Sequence, residues 1–364
     1  MTHKLDVTPT QIAAVLRPIG VPERIERLTG GMFAAAYRVT LADGGRVVVK
    51  ATATDPRRLC RYELGIARTE VEVYRTLAGR GLPVPAVVLT DFGHDVVAGD
   101  VVVTAHLPGT PWIELDLDEE GAARARRALG GFMADLHRVP APAFGYPAAE
   151  SGLRAQDWPT AFEAMVEAIV QDATDVGVVL PVDRIRATVR AHRGALRVVT
   201  APAVVHTDLW PANVFLDDDL AIVGVIDTER TVWGDPLLDL IGVDQLGLFD
   251  VDGDLLAGDT EAGGVLAQQL ATPTGPARFA LYRLYFSLIL VAEVDVRGYD
   301  DAWVPEHRVR VRGLLDAALD RLDELAAAGA GGTGRQGPGV PGPGRVAPVD
   351  DGGPGAVLGS GTRP

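Results

Sequence analysis

The sequence is short of reactive sulfur: its 364 residues include one cysteine, Cys60. A lone thiol cannot close an internal disulfide, so nothing points to an oxidising compartment. Long apolar runs are missing as well. No stretch reaches the roughly 18 residues a spanning helix needs, so no membrane contact is expected. The N-terminus, MTHKLDVTPTQ, has no apolar core of the secretory type, and the cytoplasm is the expected location. Basic residues are scarce. Lys and Arg number 34 against 49 acids, a net charge of −15. A nucleic-acid partner would need a basic face, which this composition does not offer. The deficit is sharpest over residues 231–277, which carry no Lys or Arg. They do hold Asp235, Asp239, Asp244, Asp250, Asp252, Asp254, Asp259 and Glu261. Such a run serves either as a solvated face or as a field that draws in a cation. Lysine itself is nearly absent: Lys4 and Lys50 are the only two, in a chain that otherwise uses arginine.

What remains is an ordinary globular composition, 47% hydrophobic and 23% charged, long enough for two lobes and a tail. The pattern predicts a helix over 8–18 with Thr8 or Thr10 as its cap, strands over 25–29, 35–41 and 46–52, and a helix over 61–80 that includes Cys60's neighbourhood. Gly81, Pro83 and Pro85 end that helix, and strands follow near 86–91 and 100–105. Beyond Leu107 the pattern turns helical, over 119–138, 158–176, 182–198, 236–247, 261–271, 276–296 and 303–328. Short strands at 204–206, 213–217 and 221–226 interrupt it. The expectation is an α+β chain of two lobes. A small β-rich N-lobe covers 1–105, a larger and mostly helical C-lobe covers 106–328, and a Gly/Pro-rich disordered tail covers 329–364.

The stretch HTDLWPANV at 206–214, followed by IDTE at 226–229, carries the chemistry. Phosphoryl transfer needs a base for the attacking hydroxyl, ligands for Mg²⁺ and a cation for the phosphates. Asp208 has the place of the base. Asn213, five residues on, offers a neutral oxygen to the metal, and Asp227, after a short hairpin, offers a carboxylate. Glu229 lies on the same side of an extended segment and can assist through metal or water. Each residue alone would read as a turn former or cap; the joint spacing is what is specific. Lys50 ends the apolar strand Val47–Val49 and can reach the α- and β-phosphates of ATP. Glu70, about twenty residues later in the next helix, is its expected partner. Glu72 lies about 200° around the helix from Glu70 and cannot share its cleft. Gly30-Gly31 forms a turn through which backbone N–H groups can approach phosphate. His206 reads as a brace for the loop, as do Asp235 and Asp239. His106 and His137 show no metal pattern.

With these residues in place the chain resembles the aminoglycoside phosphotransferase and choline kinase-like family, relatives of the protein kinases. The resemblance covers about residues 20–327. HTDLWPANVF is similar to the family's catalytic loop, IDTERTVWGDPLLDL to its metal-binding segment, and TEVEVYRTLAGRGLPVP to its lysine-partner helix. It implies a bilobal kinase-like fold that binds ATP and Mg²⁺ in the cleft and a small-molecule hydroxyl acceptor on the C-lobe. It further implies that Val103–Leu107 is the hinge, with the backbone of Ala105 and Leu107 holding adenine. Two departures are visible. Phe33 and Ala34 stand where family loops often carry a small polar residue and an Asn. Trp210 stands two residues after the base, where protein kinases usually have a lysine. That departure, and the short path after Asp227, favour a small-molecule kinase over a protein kinase. The other reading is a pseudokinase that binds nucleotide as a partner module. An aminoglycoside or other cationic acceptor fits the acidic run; a sugar, amino alcohol or macrolide fits the loop equally.

Overall fold

Helix α1 (Pro9–Leu16) begins where a capping box forms: Thr8 Oγ1 accepts from the N–H of Gln11 at 3.3 Å, and Gln11 Oε1 accepts from the N–H of Thr8 at 3.0 Å. The computed structural model describes residues 4–29, 31 and 33–331. After α1 come β1 (Pro22–Leu28), β2 (Ala35–Leu41), β3 (Arg46–Thr52), α2 (Ile66–Ala78), β4 (Val87–Asp91) and β5 (Asp100–Ala105). The strands form one antiparallel sheet in the order β1-β2-β3-β5-β4. Tyr37, Val39, Val47, Val49, Ala51, Val101 and Val103 alternate along three strands and share one buried face with Ile12 and Leu16 of α1. Helix α2 covers the other face, where Ala67 and Val71 pack on Val102.

Helix α2 is shorter than the expected 61–80. Residues Arg61–Glu63 form a separate 3₁₀ turn, because Arg61 is drawn towards Asp172. Its backbone N–H donates to Asp172 at 2.9 Å and its guanidinium pairs with the same carboxylate. Cys60 is buried just ahead of that turn rather than inside a helix.

The chain leaves the sheet through β6 (Thr110–Pro111) and enters α3 (Glu119–Leu136), β7 (Phe144–Gly145), β8 (Arg154–Ala155), α4 (Trp158–Asp175) and α5 (Val182–Leu196). Next come β9 (Ala203–Val205), β10 (Val214–Leu216), β11 (Ile222–Val225) and β12 (Val232–Gly234), then α6 (Asp239–Val243), α7 (Gly253–Glu261), α8 (Leu266–Leu270), α9 (Gly275–Val296) and α10 (Val304–Gly331). Two small sheets, β11-β10-β6 and β8-β7-β12-β9, are set among these helices. The core of this part is aromatic at its centre. Trp158, Phe162, Tyr282 and Tyr285 are buried with ring centroids 5.6–6.1 Å apart.

Three expectations for this part need correction. The helix over 236–247 is a 3₁₀ turn, Pro236–Leu238, followed by the five-residue α6, after which the backbone turns away at Asp244. The helix over 261–271 is only α8, and α7 precedes it unforeseen. The glycines of α7 suggest a loop, yet they allow close packing. A Cβ on Gly258 would meet the Arg127 carbonyl oxygen at 2.0 Å, and one on Gly130 would meet that of Leu255 at 2.0 Å. Helices α3 and α7 therefore touch backbone to backbone. Finally, residues 329–331 continue α10 instead of opening the tail; the Ala-rich end favours helix. Residues 332–364 lie outside the described residues. No described helix is long and apolar enough to cross a membrane.

Candidate active site

The alternation that buries Val49 and Ala51 turns Lys50 to the α2 side of the sheet. There Lys50 Nζ donates to Glu70 Oε1 of α2 at 3.0 Å, to Glu229 Oε2 at 2.5 Å and to Asp227. Burial works against the ammonium, but Asp227, Glu229 and Glu70 outweigh it and hold Lys50 well above the usual lysine range. For Glu70, burial is the larger effect. With Glu229 and Asp227 adding to it against Lys50, the carboxyl is pushed up to about 7. Asp227 is half-buried, which works against its anion, yet Lys50 holds it below the ordinary carboxylate range. Tyr74 closes the knot, its hydroxyl donating to Glu70 Oε1 at 3.1 Å and accepting from the Asp227 N–H at 2.9 Å. Glu72, by contrast, faces solvent.

The loop carrying Asp208 hangs from one buried carboxylate. Asp239 Oδ1 accepts from the Thr207 N–H at 2.7 Å. Its Oδ2 accepts from the His206 N–H at 3.2 Å and from His137 Nε2 at 2.8 Å. These bonds hold Thr207 at φ +64°, a left-handed conformation that costs a non-glycine residue energy. Helix α6 must lie against this loop, and Gly242 permits it: a Cβ there would meet the Thr207 carbonyl carbon at 2.5 Å. His206 Nδ1 accepts from the Asp208 N–H at 3.2 Å and Nε2 lies 3.0 Å from the Ile226 carbonyl oxygen. This pattern sets the Nε2–H tautomer, and burial lowers the ring's basicity in the same sense. Asn213 Nδ2 donates to the Asp208 carbonyl at 2.9 Å, which commits the amide nitrogen and leaves Oδ1 as the oxygen that could ligate a metal. Asp235 accepts from Arg278 at 2.6 Å and from Tyr282 OH at 2.5 Å, and so ties the segment after β12 to α9.

Two neighbours of Asp208 were not foreseen. Gln245, just past α6, donates its side-chain N–H to Asp208 Oδ1. Arg230 stands close enough to favour the Asp208 anion and is itself fixed by Glu293 of α9 at 2.6 Å. No spacing rule marks Gln245, because its position depends on where α6 stops. Arg230 carried one available signal: it lies one residue beyond Glu229 in the segment that presents Asp227. Burial dominates at Asp208 and, with Asp227 and Glu229 nearby, pushes its carboxyl up to about 7 against Arg230 and Gln245. Gln245→Ala is expected to lower kcat about tenfold or more, the worth of a hydrogen bond to a charged group, while thermal stability stays near wild type. A matched loss of Tm would mean that the residue only holds the fold.

At the proposed hinge the Ala105 N–H donates to the Ala86 carbonyl at 2.8 Å, so from Ala105 only the carbonyl is available to a ligand. Among the described residues the Leu107 N–H makes no backbone hydrogen bond. Gly31 adopts φ +72°, and its carbonyl accepts from Lys4 Nζ at 2.6 Å, which gives the second lysine a place. Gly30 lies outside the described residues. Phe33 rests over the Arg297 guanidinium, 4.6 Å from the ring centroid.

The acidic run is occupied structurally. Asp235, Asp239 and Asp259 are fully buried. Asp252 and Asp254 pair with Arg126, and Glu261 with Arg127, both on α3. Asp252 and Glu261 are exposed as well as paired, Asp244 is exposed with Arg283 3.7 Å away, and Asp250 is exposed.

The family model described as the phosphotransferase enzyme family matches residues 24–282. Among solved structures the chain is similar to a thermostable mutant of aminoglycoside phosphotransferase APH(4)-Ia in ternary complex with AMP-PNP and hygromycin B. The TM-score is 0.57 at 16% identity, covering 87% of this chain and 98% of that one. A candidate fructosamine-3-kinase from Thermobifida fusca YX-ER1 gives 0.59 at 24%, covering 85% and 98%. The streptomycin–ATP complex of APH(2″)-IIa gives 0.57 at 16%, covering 87% and 99%. At these identities the likeness is one of fold, and that fold is bilobal and kinase-like. No curated relative matches the sequence.

Proposed function

Because the chain belongs to the phosphotransferase enzyme family, we propose that it transfers the γ-phosphoryl group of ATP to a hydroxyl of a small molecule, with Mg²⁺ as cofactor. The observation that carries this reading is the meeting of Lys50, from the sheet, with Asp227 and Glu229, from the helical part. In this reading residues 1–105 are the nucleotide lobe and 106–328 the catalytic and acceptor lobe. A divalent cation suits the donor set: carboxylate oxygens of Glu70, Asp227 and Glu229 lie within 4.8 Å of one another, and Glu70 Oε2 is buried without a partner. Asp227 and Asn213 would hold the ion, with Glu229 assisting. Bound there, Mg²⁺ would neutralise charge on the transferring phosphates.

The other roles belong to the chain's own residues. Lys50 moves its hydrogen bonds from Asp227 and Glu229 to the α- and β-phosphates while Glu70 keeps it in place. Gly31 brings backbone close to the phosphates, and the Ala105 carbonyl and Leu107 N–H pair with adenine. Gln245 occupies one oxygen of Asp208, so the other accepts the acceptor's proton. As that proton leaves, the acceptor oxygen bonds to the γ-phosphorus and the bond to ADP breaks. The segment after Asp227 supports a small acceptor. It passes through a single 3₁₀ turn, Thr228–Arg230, into β12, which pairs with β9. That leaves no long segment on which to dock a polypeptide, and the complete set of phosphate-handling residues speaks against a silent binding module.

The test is transfer of label from [γ-³²P]ATP to a panel of aminoglycosides, sugars, amino alcohols and a macrolide, with and without EDTA. Label in one of these molecules, lost on chelation, is the expected result. Label in protein alone, or none at all while the panel is complete, sinks the reading. With most of the acidic run buried or paired, acceptor affinity should change little as salt rises.

A further inference from the structure

The catalytic loop places a large apolar side chain beside the base. Asp208 reaches the cleft, Leu209 is fully buried in the core below, and Trp210 is 37% exposed. Trp210 has extended backbone, φ −81° and ψ 163°. Burial alternates along 208–210, so Leu209 turns into the core while Asp208 and Trp210 turn away from it. An exposed indole is costly unless something covers it. Its surroundings extend the surface. Ile113 is exposed on the turn Trp112–Glu114, which packs against Pro211–Asn213. Leu248 is exposed on the loop that also presents Gln245. Exposed apolar side chains thus occur on both segments next in contact or in sequence to the pair Asp208 and Gln245.

We propose that Trp210 is the platform on which the acceptor lies, and that the acceptor is a rigid ring with one apolar face bearing the hydroxyl that reaches Asp208. The proposal rests on the phosphotransferase reading and narrows it. A ring stacked on the indole holds its hydroxyl at a fixed distance from Asp208. An open-chain amino alcohol gains little from that surface and loses torsional freedom when it binds. Saccharide rings, with a C–H face, and aromatic alcohols, with a π face, share the required shape. The partial pairing of the acidic run weakens the contrary argument that charge alone selects the acceptor.

The experiment compares ring acceptors (methyl β-D-glucoside, hygromycin B, benzyl alcohol) with open-chain ones (choline, homoserine, glycerol). It uses wild type, Trp210→Ala and Trp210→Phe. Transfer is followed with [γ-³²P]ATP and binding by calorimetry in the presence of Mg²⁺ and AMP-PNP. The expected result is a preference for one of the rings, an acceptor KM about tenfold higher in Trp210→Ala, and recovery of most of that loss in Trp210→Phe, with the KM for ATP unmoved. The two sources separate in the same panel, the glycosides reporting the C–H face and benzyl alcohol the π face. Preference for an open-chain acceptor overturns the proposal and leaves the phosphotransferase reading standing. A Trp210→Ala effect on the KM for ATP instead makes the residue a nucleotide wall and also overturns it. Failure of every ring to bind or react does the same. Trp210-dependent binding of a ring without transfer to any compound keeps the platform and removes the phosphotransferase reading.

Discussion

Replacing Asp208 by asparagine should lower phosphoryl transfer about 10²–10⁴-fold, the usual worth of a positioned base. ATP should still bind. Asparagine keeps a carbonyl oxygen that can accept from Gln245, so the local fold survives, but it cannot take the acceptor's proton. The groups that handle nucleotide in the proposed mechanism, Lys50 and Asp227, sit on other elements and are left intact. The measurement is paired: calorimetry of MgATP binding, and single-turnover transfer to whichever acceptor the panel identifies. Turnover near wild type would remove Asp208 as the base. Loss of nucleotide binding would instead place it in the phosphate site.

The largest effect on stability is expected from Asp239→Ala. That carboxylate is fully buried and accepts from two consecutive backbone N–H groups and from His137. Alanine leaves all three donors buried without partners, at about 1–3 kcal/mol each before relaxation. A net loss of roughly 3 kcal/mol or more follows, together with a fall in kcat, since Thr207 would be free to leave its left-handed conformation and carry Asp208 with it. Asp239→Asn keeps an acceptor oxygen and should fall between the two. Chemical denaturation with kinetics on the same preparations checks this. An unchanged midpoint with full activity would mean that the loop is held by something other than Asp239.

These two residues show how unevenly the sequence could be read. Asp208 is legible because the role proposed for it fixes a local spacing: five residues to Asn213 and a hairpin to Asp227. The strands β2, β3 and β5 are legible because alternation of apolar residues is a local property, and the same alternation carries Lys50 to the α2 side of the sheet. Glu70 follows from helix geometry, which sets Glu72 on the opposite side. Gln245 was invisible because nothing local says that α6 stops at Val243. The short α6 reflects contact with the catalytic loop, where Gly242 admits the Thr207 backbone. Helix α7 was missed for a related reason. Its glycines look like breakers to a local rule and become packing surface only when α3 lies against them. The acidic run left two readings open, a solvated face or a field for a cation, because charge counted along the chain cannot show that Asp252, Asp254 and Glu261 pair with arginines of α3.

The sequence by itself determined the phosphotransferase family and its kinase-like reading, since phosphate, metal and base each demand a residue type at a fixed short spacing. The tertiary structure decided which acids are structural and which face the cleft. It also brought Gln245 and Arg230 to Asp208, and left Trp210 uncovered beside that residue. Those outcomes depend on burial and on contacts between segments far apart in the chain, and no local pattern encodes them.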